Sequence, residues 1–135
     1  MLCIAAALSH GVTSVQDFSH WEDWLALESM EHEGALKLRV SEWVAFDLPL
    51  GTLKARRASH DPNDPLLHLA MLKAFMDDSL GSRTAALAQP YADDPSNSGL
   101  PRYTQDNLNQ MSEERAAAGF QLGFHAIVDQ ANHKA

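Results

Sequence analysis

Residues 72–87 read Leu-Lys-Ala-Phe-Met-Asp-Asp-Ser-Leu-Gly-Ser-Arg-Thr-Ala-Ala-Leu. The opening residues alternate as a β-strand does: Lys73, Phe75 and Asp77 fall on one face, Leu72, Ala74 and Met76 on the other. A lysine inside such a run is unusual, because its ammonium group is rarely buried without a partner. Either Lys73 snorkels to a surface or the end of the strand uses it. The strand releases into segment 79–102, rich in Gly, Pro, Ser and Asp. Its length reads as a functional or disordered loop rather than a plain connection.

On either side of this stretch strands and helices alternate. A short helix over about 1–9 meets Gly11, and Val12 to Phe18 reads as a first strand. Ser19-His20-Trp21-Glu22 has the form of a capping box, opening a helix with Trp21, Trp24, Leu25 and Leu27 that closes at Gly34. Leu38 to Phe46 predicts a second strand whose alternation breaks at Glu42-Trp43-Val44. A short helix over 50–59 and a turn around Pro62 and Pro65 lead to a third strand, Leu66 to Met76. Thr104 to Ala118 is a helix ended by Gly119, and Phe120 to Ile127 is a fourth strand, followed by the start of another helix. This order predicts four parallel strands joined by right-handed helical crossovers. The architecture is an α/β sheet, either small and open or part of a (β/α)₈ barrel. A complete barrel needs ~250 residues, so the 135 residues here, read as one domain over 1–135, hold about half of one.

The formal charge of −8 argues against a nucleic-acid or anionic-membrane surface. The apolar opening Met1 to Leu8 lacks a basic flank and is far shorter than the ~20 residues of a membrane span. One cysteine, Cys3, excludes an intrachain disulfide and fits a reducing, cytoplasmic setting.

The fourth strand sharpens the question about Lys73. Phe120, Leu122 and Phe124 point one way, whereas Gln121, Gly123 and His125 point the other. His125 therefore stands near the C-terminal end of its strand, where α/β folds bind ligands. Two readings stay open from the residues alone. Lys73 and His125 meet in one pocket, or Lys73 pairs with an aspartate while His125 is hydrogen-bonded in the core.

The run Lys73 to Leu87, then Pro90-Tyr91-Ala92-Asp93-Asp94-Pro95, then Gly119-Phe120-Gln121 and His125-Ala126-Ile127-Val128-Asp129-Gln130-Ala131-Asn132, resembles amidohydrolase family 3. That group of metal-dependent hydrolases includes the YtcJ-like proteins and N-substituted formamide deformylase. Gly11 to Asp17 and Gly34 to Val40 resemble its preceding strand and helix–strand junction. The resemblance implies a partial (β/α)₈ barrel with the metal site at its C-terminal mouth. It implies Lys73 as a carbamylated metal ligand and His125 as a second ligand, holding a divalent metal, zinc above all, one or two ions in the complete enzyme. The reaction implied is hydrolysis of a non-peptide carbon–nitrogen bond in a small amide or formamide by metal-activated water.

Further roles follow from the same resemblance. Ser82 and Arg83 either shape the mouth of the site, with Arg83 orienting a substrate carboxylate or an acidic partner, or belong to a long loop tied down by its own hydrogen bonds; Asp77 and Asp129 are read as supporting the metal ligands from behind. Asp78 and Val128 stand where the family carries glycine. If those positions need positive φ, aspartate is strained there and β-branched valine more so. The family's His-x-His, sixth-strand histidine and eighth-strand aspartate have no counterpart here, which implies an internal portion of a longer enzyme, inactive alone. His10, His20, His32, His60, His68 and His133 read as surface or capping residues. The competing reading is a non-catalytic α/β fragment that self-associates through open sheet edges.

Overall fold

The alternation of helices and strands holds throughout residues 2–135, the part of the chain that the computed structural model describes, Leu2 by its backbone alone. The elements are α1 (Leu2–Ser9), β1 (Ser14–Phe18), α2 (Trp21–His32), β2 (Arg39–Ala45), α3 (Leu50–Ala58), β3 (Leu67–Phe75), α4 (Gln105–Ala117), β4 (Leu122–His125) and α5 (Asp129–Lys134). The strands are hydrogen-bonded in chain order, β1-β2-β3-β4. The chain divides into two compact units, residues 1–72 and 73–135.

In the first unit β1 and β2 pair in parallel, Ser14 opposite Arg39 through Phe18 opposite Trp43. The Val40 amide donates to the Leu66 carbonyl at 2.6 Å, linking β2 to the approach of β3. Trp24, Leu36, Val40 and Leu67 form the centre of the core, with Ile4, Val15, Trp21, Leu27, Met30, Leu66 and Leu69 packed around them. Helix α2 stops where Gly34 adopts φ 67°, letting the Gly34 and Ala35 amides reach the Glu31 and Met30 carbonyls, each at 2.7 Å. That closure satisfies two helix-end carbonyls and favours a residue without Cβ.

Two local expectations are corrected here. The cap of α2 lies one residue later than expected: His20 is the cap, and its amide donates to Asp23 Oδ2 at 3.1 Å. The Ser19 hydroxyl instead donates to Glu42 Oε1. The alternation of β2 does not break either, because Glu42 takes the buried position between Val40 and Val44 and is fully enclosed. Strand periodicity wins over the polarity of the side chain, at a cost. Ser19 serves one oxygen, while Glu42 Oε2 has no hydrogen-bond partner among the described residues. Burial raises the Glu42 carboxyl from 4.5 to about 7 against the opposing hydrogen bond from Ser19.

The second unit holds the end of β3, the loop 79–102, α4, β4 and α5. The Met76 amide donates to the His125 carbonyl at 2.8 Å, and the Arg102 amide donates to the Met76 carbonyl at 3.0 Å. Both the end of β4 and the exit of the long loop are thereby tied to the end of β3. The loop is ordered by its own hydrogen bonds. Tyr91 donates its hydroxyl to the Ala85 carbonyl at 2.8 Å, and the Leu87 and Leu100 amides donate to the Ser98 and Thr84 carbonyls at 2.8 and 3.1 Å. Gly99 lies so close that a Cβ would sit 2.0 Å from the Ala85 oxygen, and its φ is +83°. No side chain fits there without moving the loop. Thr104 caps α4 by accepting from the Asn107 amide at 3.3 Å.

Candidate metal centre

Lys73 and Phe75 occupy the same face of β3, as the period of two requires. The Lys73 ammonium lies 5.3 Å from the centre of the Phe75 ring. His125, at the end of β4, packs its imidazole edge-on against the same ring, with centroids 5.6 Å apart and planes at 67°. One aromatic ring is thus shared by the two candidate ligands. The His125 ring nitrogens make no hydrogen bond among the described residues, and the side chain is exposed. Phe75, Asp77, Asp78, Arg102 and His125 line an open cleft of about 330 Å³.

Asp77 is buried and spends both carboxylate oxygens on main-chain donors. Oδ2 accepts from the Ala86 amide at 3.1 Å and Oδ1 from the Ile127 amide at 2.9 Å. Asp129, at the start of α5, accepts from the Ala88 and Gln130 amides at 3.0 and 2.8 Å, both on Oδ1. Together these two carboxylates fasten the long loop to the segment that follows His125. Ser82 is engaged inside the loop, its hydroxyl 2.5 Å from Thr84 Oγ1 and 3.2 Å from the Ser79 carbonyl. Arg83 pairs with Asp93 at 2.7 Å on the exposed side of the loop.

Neither glycine replacement distorts the backbone. Val128 is extended, φ −124° and ψ −179°, and caps α5; Asp78 is not in the positive-φ region and accepts from the Thr84 hydroxyl at 3.0 Å. Among the described non-glycine residues Arg83 alone takes positive φ, at 57°.

The first unit contains a separate cluster that sequence patterning did not reveal. Ligand-type atoms of Glu31, His60 and Asp64 all lie within 4.8 Å of one another. His60 is not a surface residue, since its side chain is only 10% exposed. Its Nδ1 meets Glu28 Oε1 at 3.2 Å, and its Nε2 meets Asp64 Oδ2 at 3.0 Å and the Leu67 carbonyl at 2.8 Å. Burial alone would lower the His60 pKa, but the Glu28 hydrogen bond, the Leu67 carbonyl and the charges of Asp64 and Glu28 raise it overall. Asp64 also accepts from the Leu66 and Leu67 amides at 2.7 and 3.1 Å. These contacts join the end of α2 to the entry of β3, a structural role. The four-residue spacing of His60 and Asp64 was the available signal. His68 is likewise engaged, with Nε2 3.0 Å from the Ser41 hydroxyl.

The sequence pattern of the amidohydrolase family matches residues 2–134. The chain belongs to that family. Protein Long After Far-Red 3 of Arabidopsis thaliana is 39% identical over 140 aligned residues, covering 93% of this chain and 24% of that protein. YtcJ of Bacillus subtilis is 36% identical over 70 residues, covering 52% of this chain and 13% of that protein. The crystal structure of an uncharacterized metal-dependent hydrolase from Pyrococcus horikoshii superposes with a TM-score of 0.80 at 32% identity. That match covers 97% of this chain and 27% of the hydrolase. The chain therefore spans about a quarter or less of each relative. Its four parallel strands with flanking helices are a partial (β/α)₈ barrel of the metal-dependent hydrolase type. No described helix of this amidohydrolase-family chain is long and apolar enough to cross a membrane.

Proposed function

We propose that this amidohydrolase-family chain forms part of a hydrolase of non-peptide carbon–nitrogen bonds, amides or formamides, with Lys73 and His125 as ligands to a divalent metal. The observation that carries the reading is the shared Phe75 ring, which sets both side chains on one face at the ends of adjacent strands. The donor chemistry fits. An imidazole nitrogen without a protein partner suits zinc. Addition of carbon dioxide to the neutral Lys73 amine, with loss of a proton, turns a cation into an anionic oxygen donor. Two ligands are fewer than the three of a catalytic zinc site, so the remaining ones come from parts of the protein outside these residues. When bound, the metal lowers the pKa of its water toward ~7 and polarises a carbonyl.

The chain's own residues supply position. Phe75 walls the cleft and its ring faces the Lys73 ammonium, while Asp77 and Asp129 hold the loop 79–102 against the segment after His125. Hydrolysis by the zinc-loaded protein containing this segment tests the reading, using N-substituted formamides and carboxamides beside carboxylic and phosphate esters. Amine release is expected, with Lys73→Ala and His125→Ala each lowering it at least about 100-fold. Cleavage of esters alone, or full activity in both variants, contradicts it.

A further inference from the structure

The last turns of α2 and the segment between α3 and β3 bring a second set of metal-donor side chains together within the first unit. Ligand-type atoms of Glu31, His60 and Asp64 fall within 4.8 Å of one another. The set is built into the fold rather than spread over its surface, since the His60 and Asp64 side chains are only 10% and 9% exposed. His60 presents its two ring nitrogens to different partners. Nδ1 meets Glu28 Oε1 at 3.2 Å, whereas Nε2 meets Asp64 Oδ2 at 3.0 Å and the Leu67 carbonyl at 2.8 Å. A histidine that ligates a metal through one nitrogen almost always gives its other N–H to a carboxylate, carbonyl or water, which fixes the ring and raises its basicity. Glu28 holds that place here. The spacing agrees as well. Two donors on a tetrahedral zinc stand roughly 3.3 Å apart, given the usual bond lengths, and His60 Nε2 and Asp64 Oδ2 are 3.0 Å apart.

Glu31 and Asp64 are hydrogen-bonded to each other, so one proton serves two carboxyls. Burial first, then this bond and the charge of Asp64, raise the Glu31 pKa. Asp64 is lowered against the effect of burial, by the Leu66 amide and by the bond from Glu31. Two carboxylates in contact need a positive charge between them, and a divalent cation supplies more of it than a proton does. We propose that Glu31, His60 and Asp64 bind one zinc ion, at a site separate from Lys73 and His125, which belong to the second unit. On binding, His60 Nε2 and Glu31 release their protons to water and bond to the ion, while Nδ1 keeps its proton and donates to Glu28. Three protein ligands leave a fourth position for water. The site opens into a hollow of about 570 Å³ lined also by Ser59 and Asp61, which gives that water room. An imidazole among the donors selects zinc over magnesium, which prefers oxygen alone. The ion clamps the end of α2 to the entry of β3 and does not depend on the reading of Lys73 and His125.

Zinc titration of the whole protein containing this segment, with its histidine rings isotope-labelled and followed by NMR, tests the proposal. A saturable change is expected at His60 Nε2 with Nδ1 still protonated, and magnesium at the same concentration should leave the ring unchanged. The same response should persist in His125→Ala, because the two sites are independent. Glu28→Gln should raise the Kd for zinc at His60 at least about tenfold, and Glu31→Gln, which removes a ligand, at least as much. Glu31→Asp, which keeps the charge, should recover part of the loss and so separates ligation from folding. A His60 ring that a large excess of zinc leaves unchanged overturns the proposal, and the wild-type titration alone decides this if a variant fails to fold. A Kd unaltered in Glu31→Gln overturns it too. Zinc taken up only where His125 is intact, with His60 unmoved, overturns this site and leaves the reading of Lys73 and His125 standing.

Discussion

Replacing Glu42 with glutamine removes a charge that the fold buries and serves on one side only. The wild-type carboxyl is raised from 4.5 to about 7, first by burial, and one oxygen lacks a partner. A group whose folded pKa exceeds its unfolded value holds its proton longer in the folded state. Its stabilising contribution is therefore full below about pH 4.5 and is lost as pH rises toward 7, after which the loss is complete. The shift corresponds to about 3 kcal/mol, at roughly 1.4 kcal/mol for each pH unit. Urea unfolding of wild type and Glu42→Gln at intervals from pH 4 to pH 8 isolates this effect, because every other titrating group is common to both. The stability of the variant relative to wild type should climb by about 3 kcal/mol across that range. Most of the rise should fall between pH 4.5 and 7. A difference that stays flat, or that falls with pH, refutes the picture of an enclosed, half-satisfied carboxyl.

Three further outcomes follow from the contacts described. His60, whose pKa is raised overall, stabilises the first unit below its unfolded value and loses that contribution as pH rises through its folded one; His60→Gln should lack this loss in the same unfolding assay. Asp77→Asn replaces one of two acceptors by a donor facing a main-chain amide, costing about 1–3 kcal/mol. Hydrogen exchange should speed up at Ala86 and Ile127 more than at Ala88, which Asp129 holds. Gly99→Ala forces a Cβ to within 2.0 Å of the Ala85 oxygen at positive φ. It should cost roughly 2–4 kcal/mol in thermal unfolding, whereas Gly51→Ala, in α3 with open space around it, should not.

The sequence carried the repeat and the face of Lys73, because period-two alternation and turn residues are local signals that tertiary contacts reinforced at Leu72, Ala74 and Met76. Strand ends were harder: β4 is Leu122–His125 rather than 120–127, since pairing stops where the chain turns to offer the Ile127 amide to Asp77. Glu42 misled because hydrophobic patterning treats a glutamate as an outward residue, and its partner Ser19 is 23 positions away. The order within 79–102 was hidden for a similar reason. Composition announces polar residues but not that Tyr91, Asn97 and Gly99 close on Ala85 and its neighbours. For His60 the four-residue spacing to Asp64 was the one local signal; Glu28 and the Leu67 carbonyl reach it from α2 and the start of β3.

Paramagnetic broadening by Mn²⁺ in the NMR spectrum of the bicarbonate-equilibrated protein containing this segment tests most directly whether Lys73 and His125 hold a metal together. Broadening should centre on the side-chain signals of these two residues and on the Phe75 ring, and disappear there in His125→Ala. Broadening centred instead on His60, Glu31 and Asp64, or none at substoichiometric metal, would contradict the assignment.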